Sequence, residues 1–188
     1  EQTHDSYVVL YEIAHAQMAS ATPHEALTTF EKILAIEESS VQPGDNDAPL
    51  LQDIKGKVHV DICGLYGRLF RHQDAMQCAT DQINAAGAEK AQLKLFNYRG
   101  VALASLGDIR GALEDFGVVI SRCERAAGGT VCPRRILADA HNNRGAALWN
   151  IDIFAARDAF RDAKEAMPDH PQAATNLAAM ESRIASGE

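Results

Sequence analysis

The hydrophobic positions of this 188-residue chain recur at steps of three and four rather than two. That spacing places side chains on one face of a helix. It is clearest in "FNYRGVALASLGDIRGALEDF", residues 96–116, and "HNNRGAALWNIDIFAARDAF", residues 141–160. Each stretch carries a small residue, Gly100 or Gly145, followed three residues later by Leu103 or Leu148. Past a turn, each continues with an Ala-x-x-x-Phe step, Ala112 with Phe116 and Ala156 with Phe160. The pattern predicts two packed helices per stretch, with the small residues letting the backbones approach and Leu and Phe filling the space beside them.

Two earlier stretches repeat the theme. "LYEIAHAQMASATPHEALTTF" gives Leu10, Ile13 and Ala14, then Ala26 and Phe30, with Thr22 and Pro23 fitting a turn that begins the second helix. In "HVDICGLYGRLFRHQDAMQCA", Ile62, Cys63 and Tyr66 precede Ala75 and Ala79, so Cys63 stands for the glycine and Ala79 for the phenylalanine. After Pro168, "PQAATNLAAMESRIASG" predicts one amphipathic helix with Leu177, Met180 and Ile184 on one stripe, a terminal cap. The anchor alanines at 26, 75, 112 and 156 are 49, 37 and 44 residues apart. The turn-rich segments 37–50 and 125–135 therefore read as insertions between helix pairs, and residues 51–57 as a backward extension of the helix that follows.

The pattern resembles the tetratricopeptide repeat, which spaces an aromatic, L-G, Y, A-x3-F and Pro over about 34 residues. Phe96, Gly100, Leu103, Ala112 and Phe116 match it, as do Gly145, Leu148, Ala156, Phe160 and Pro168. The later copy has His141 at an aromatic position and a turn, "NIDI", one residue shorter. The resemblance covers roughly residues 7–187. It implies a single all-α domain over 1–188, an α-solenoid of about four antiparallel helix pairs (about 7–37, 51–88, 93–124 and 137–168) with a capping helix over 171–187.

In that family the first helices of successive pairs line a concave groove that holds peptides. Carried onto this chain, the resemblance implies an inner face with Tyr11, His15 and Met18, then Lys57 and Val60, then Lys94, Asn97 and Val101. Asn142, Asn143, Ala146 and Trp149 follow, with Gln172 and Thr175 from the cap. Asn97 and Asn142 each precede their glycine by three residues, and a ladder of amides offers donors and acceptors to a peptide backbone. Trp149, the sole Trp, fits either an interface anchor or core filling. The carboxylate clamp of the chaperone-binding subclass is not matched: Asn143 fits, but Tyr98, Tyr11 and His15 stand at the other places. The implied function is a non-enzymatic scaffold that docks a protein or peptide partner. The alternative is a structural or oligomerising subunit, including a homo-oligomer, that uses no groove.

Composition narrows this further. Residues 1–55 hold 10 acids against 2 bases, while residues 56–188 hold 16 of each. Such a balance argues against a nucleic-acid partner, which clustered Lys and Arg would hold. Arg122, Arg125, Arg134 and Arg135 read as a solvated, mildly basic turn, and Glu114 with Asp115 as solvated neighbours. No apolar run reaches the roughly 20 residues of a membrane span. No initiator Met and no basic-then-apolar leader are present, which reads as a mature or excised chain. The seven histidines show no metal-ligand spacing, and no catalytic motif is evident, so neither metal, cofactor nor catalytic residue is expected. Cys63 and Cys78 lie in apolar helical stretches and read as unmodified, buried thiols. Cys123 and Cys132 read as loop-associated and accessible. A bridge between them is geometrically plausible and would indicate a secreted or periplasmic setting, whereas low cysteine density is as ordinary in the cytoplasm.

Overall fold

The computed structural model describes residues 5–20, 22–36, 47–125 and 132–187, and every regular element among them is an α-helix. In chain order these are α1 (Asp5–Ala19), α2 (Pro23–Leu34), α3 (Asp47–Arg68), α4 (His72–Ala86), α5 (Leu93–Ser105), α6 (Ile109–Arg125), α7 (Arg134–Leu148), α8 (Ile153–Ala166) and α9 (Ala173–Ser186). The all-α fold of successive helix pairs with a closing C-terminal helix is as the sequence predicts. The chain divides into two compact units, Glu1–Cys78 and Ala79–Glu188.

In the second unit the repeat chemistry is explicit. A β-carbon added to Gly100 would lie 2.6 Å from the Phe116 ring, and one added to Gly145 would lie 2.7 Å from the Phe160 ring. Both rings are fully buried. Each ring therefore occupies the place of the missing side chain, which is why glycine persists inside a helix where it costs about 1 kcal/mol relative to Ala. α5 closes on Gly107 at φ +92°, with the Asp108 N–H donating to the Leu103 carbonyl (2.9 Å) and the Gly107 N–H to Ala104 (3.1 Å). The shorter "NIDI" turn closes differently. The Ile151 and Asp152 N–H groups both donate to the Leu148 carbonyl, and the Asp152 carboxylate then caps α8 by accepting from the Phe154 and Ala155 N–H groups. Leu177 and Met180 of α9 pack with Leu148, Ala156 and Phe160, which gives the cap its buried stripe.

Asp115 is buried rather than solvated. It accepts a bidentate pair of bonds from Arg99 of α5, at 2.8 and 2.7 Å, while the neighbouring Glu114 points outward and pairs with Arg110. Adjacent helical residues diverge by about 100°, so one faces in and the other out. Hydrogen bonds to the Asp115 carboxylate hold the Arg99 guanidinium above its ordinary pKa, despite the opposing effect of burial. Arg122 likewise is not a purely solvated member of a basic turn. Its guanidinium lies 4.9 Å from the Phe96 ring centroid and donates to the Ala88 and Ala91 carbonyls.

In the first unit α1, α2 and α3 share a core of Tyr7, Ala14, Phe30, Ile33, Leu51, Val58 and Leu65. Pro23 opens α2, where its missing N–H is not needed. α3 already begins at Asp47, so residues 47–50 of the expected first insertion belong to a helix, while 37–46 lie outside the described residues. Of the second insertion, residues 126–131 lie outside them, and α7 begins at Arg134.

The cysteines require the largest correction. Cys63 of α3 and Cys78 of α4, expected as free thiols, form a disulfide with Cα atoms 5.4 Å apart. Here Cys63 and Ala79 stand at the sequence positions of the glycine and phenylalanine of the later pairs, and the bridge joins the two helices. Cys123, expected in an accessible loop, is buried at the end of the apolar stripe of α6 formed by Phe116, Val119 and Ile120. It is bridged to the half-buried Cys132, Cα atoms 5.1 Å apart.

Candidate functional site

A concave pocket of about 440 Å³ opens in the second unit. Val101, Ala104 and Ser105 come from α5, Ile109 and Phe116 from α6, and Asn143, Ala146 and Ala147 from α7. Trp149, Asn150 and Ile151 complete it from the turn after α7. The helix pattern explains the wall. Val101 and Ala104 lie three apart on α5 and so share a face, and the small Ala146 and Ala147 of α7 leave space beside them. Trp149 belongs to both core and pocket. Its ring meets Phe160 edge-on at 5.9 Å, and its carbonyl accepts from Arg183 (2.8 Å), while the side chain remains half-buried at the pocket wall. Ile151 is 63% exposed. Among the described residues, no charged side chain lines the pocket.

Of the residues carried over from the resemblance, Asn143, Ala146, Trp149 and Val101 meet in this pocket. Asn97 and Asn142 do not. They are 6% and 5% exposed. The Asn97 Nδ2 donates to the Ile136 carbonyl of α7 (3.2 Å), and the Asn142 Oδ1 accepts from Asn176 of α9 (2.9 Å). The equivalence read from the sequence is therefore real in a different sense, since each amide ties its first helix to the next. Lys94 is exposed on α5. Ile109, Asn150 and Ile151 were not singled out by the sequence reading, because the turns that carry them match no fixed position of the repeat.

Tyr11, His15 and Lys57 belong to the first unit. The Tyr11 hydroxyl donates to the buried Asp61 carboxylate of α3 (3.2 Å), and burial, reinforced by the charge of Asp61, pushes the Tyr11 pKa up to about 12. Tyr11 thus remains a neutral donor. His15 lies edge-on to Tyr11, and its Nε2 is 3.3 Å from the same Asp61 oxygen without hydrogen-bond geometry. Lys57 is exposed and paired with Asp53 at 2.6 Å. Asp61, which organises this group, lies one residue before the apolar pattern used to align the repeat, so its inward direction carried no sequence signal.

Among the described residues no group of three or more His, Cys, Asp or Glu side chains could hold a metal ion, and no helix is long and apolar enough to cross a membrane. No protein-family model matches the chain, and no curated protein matches it.

Proposed function

We propose that this chain is a non-enzymatic docking module of the tetratricopeptide-repeat kind, and that the pocket walled by α5 and α7 receives an apolar side chain of a protein or peptide partner. The observation that carries the reading is the make-up of the cavity. Val101, Ala104, Ile109, Ala146, Trp149 and Ile151 supply an apolar surface, and the Asn143 and Asn150 amides lie in the same lining. Burial of an apolar group supplies the affinity, and neutral amides orient a peptide backbone by offering both donor and acceptor. The cavity volume falls in the range of ordinary ligand sites. Apolar side chains and amides neither titrate near neutral pH nor attack a substrate, which favours binding over catalysis as the role of this surface.

The test begins with peptides selected from a random display library on the folded chain. A selected peptide is then titrated calorimetrically against wild type and Ala146→Arg, a substitution at an exposed helical position of the pocket. The expected result is at least about tenfold weaker binding with unchanged helicity. Equal affinity for the two proteins would place the peptide elsewhere and reject the pocket.

A second reading, a structural or oligomerising subunit, is favoured by Val9 and Ile13, which lie four apart on α1 and are 51% and 43% exposed. Light scattering decides it. A mass that rises with concentration and falls back to the monomer in Val9→Glu/Ile13→Lys supports assembly through α1, and a monomer at every concentration rejects it.

A further inference from the structure

All four cysteines are paired, Cys63 of α3 with Cys78 of α4, and Cys123 of α6 with Cys132 of the segment just before α7. Cα separations of 5.4 and 5.1 Å suit bridging without backbone movement. Cys63 is wholly buried and Cys123 nearly so, which is the setting of structural bridges rather than of exposed redox sensors. The Cys63–Cys78 bridge also belongs to the one helix pair in which both the glycine and the phenylalanine of the later repeats are replaced in the sequence, by Cys63 and Ala79. Chains kept in a reducing cytosol seldom retain such bridges.

We propose that both bridges are permanent parts of the fold and that the protein works in an oxidising compartment. Each bridge forms by thiol–disulfide exchange with a donor disulfide, either oxidised glutathione or the disulfide of a protein oxidoreductase. One cysteine thiolate attacks the donor to give a mixed disulfide. The second cysteine thiolate then displaces the donor's remaining sulfur. The two protein thiols lose two electrons and two protons, and the donor disulfide gains both and leaves as two thiols. Neither bridge lies among the pocket residues, so this inference stands apart from the docking reading.

The decisive experiment traps the protein in its natural setting with acid, alkylates thiols before any reductant is added, and maps the peptides by mass spectrometry. The expected map shows Cys63 linked to Cys78, Cys123 linked to Cys132, and no alkylated cysteine. Alkylation of any of the four, or any other pairing, overturns the proposal. A second measurement tests permanence on purified chain refolded in a glutathione redox buffer. Reduction should lower the melting temperature by roughly 10 °C or more, the combined effect expected of two closed loops. An unchanged melting temperature would show that the bridges do not support the fold, and would overturn the structural role assigned to them.

Discussion

At Gly100 the absent side chain is replaced by the Phe116 ring, whereas Gly117 of α6 has nothing within 4 Å of where its β-carbon would be. The same substitution should therefore have opposite signs at the two places. Gly100→Ala forces the ring aside and should cost about 1–2 kcal/mol, the overpacking penalty less the gain in helix propensity. Gly117→Ala carries only the propensity gain and should stabilise by about 0.5–1 kcal/mol. Urea unfolding midpoints measure both, and shifts of the same sign would contradict the packing described. His141 gives a residue-scale prediction about pH. Burial holds its pKa below the ordinary 6.5, outweighing the Asp162 carboxylate 3.7 Å away. The unfolded chain therefore binds this proton first as pH falls. The stability contributed by the neutral ring is complete above about pH 6.5 and is lost as pH falls through the depressed value. Unfolding free energies between about pH 7.5 and pH 5 should fall more steeply for wild type than for His141→Gln, and parallel curves would remove His141 from the account.

The helices themselves end by three different devices, and these decide which turns tolerate change. The α5 turn uses Gly107, but the α3 turn makes the same closing bonds, Arg71 N–H to Tyr66 and Phe70 N–H to Gly67, with Phe70 at φ +57° and 83% exposed. A left-handed non-glycine residue costs roughly 1–2 kcal/mol. Phe70→Gly should therefore raise stability, by about 1 kcal/mol once the greater freedom of glycine in the unfolded chain is subtracted. An unchanged or lower unfolding midpoint would mean that the Phe70 ring does more in the fold than its exposure implies. The α8 turn relies on the Asp152 cap, and the start of α9 relies on His170, whose Nδ1 accepts from the Gln172 and Ala173 N–H groups while its Nε2 meets Asp139 at 3.0 Å. The helix pairs were legible in the sequence because glycine, alanine and phenylalanine recur at fixed helical spacings. The direction of Asn97 and Asn142 was not, since an amide on a first helix can face a partner or the next helix with no change in spacing. The Cys63–Cys78 bridge was hidden for a related reason: a cysteine in an apolar stripe reads the same whether it is a small hydrophobe or half of a disulfide. The Cys123–Cys132 bridge, by contrast, was open to the sequence as a plausible pairing.

Over the whole molecule, charge and candidate site are separated. Residues 1–78 hold 12 acids against 5 bases, residues 79–188 hold 14 against 13, and among the described residues the pocket in the second unit has no charged lining. Affinity for a ligand of that pocket should therefore change by no more than about twofold between low and high salt, because screening acts on charges that the contact does not use. A steep salt dependence would move the contact to the acidic first unit. The pocket was legible only in part. Asn143, Ala146 and Trp149 came from the repeat alignment, whereas Ile109, Asn150 and Ile151 are brought to it by turns whose closure the alignment does not specify. The central claim, that this pocket takes an apolar group of a partner, has a built-in reporter, since Trp149 is the sole Trp and lines the wall. Titration with a display-selected peptide, followed by intrinsic tryptophan fluorescence, tests it directly. The account predicts a saturable blue shift whose midpoint equals the calorimetric affinity and which is lost in Ala146→Arg; calorimetric binding that leaves the emission of Trp149 unmoved would contradict it.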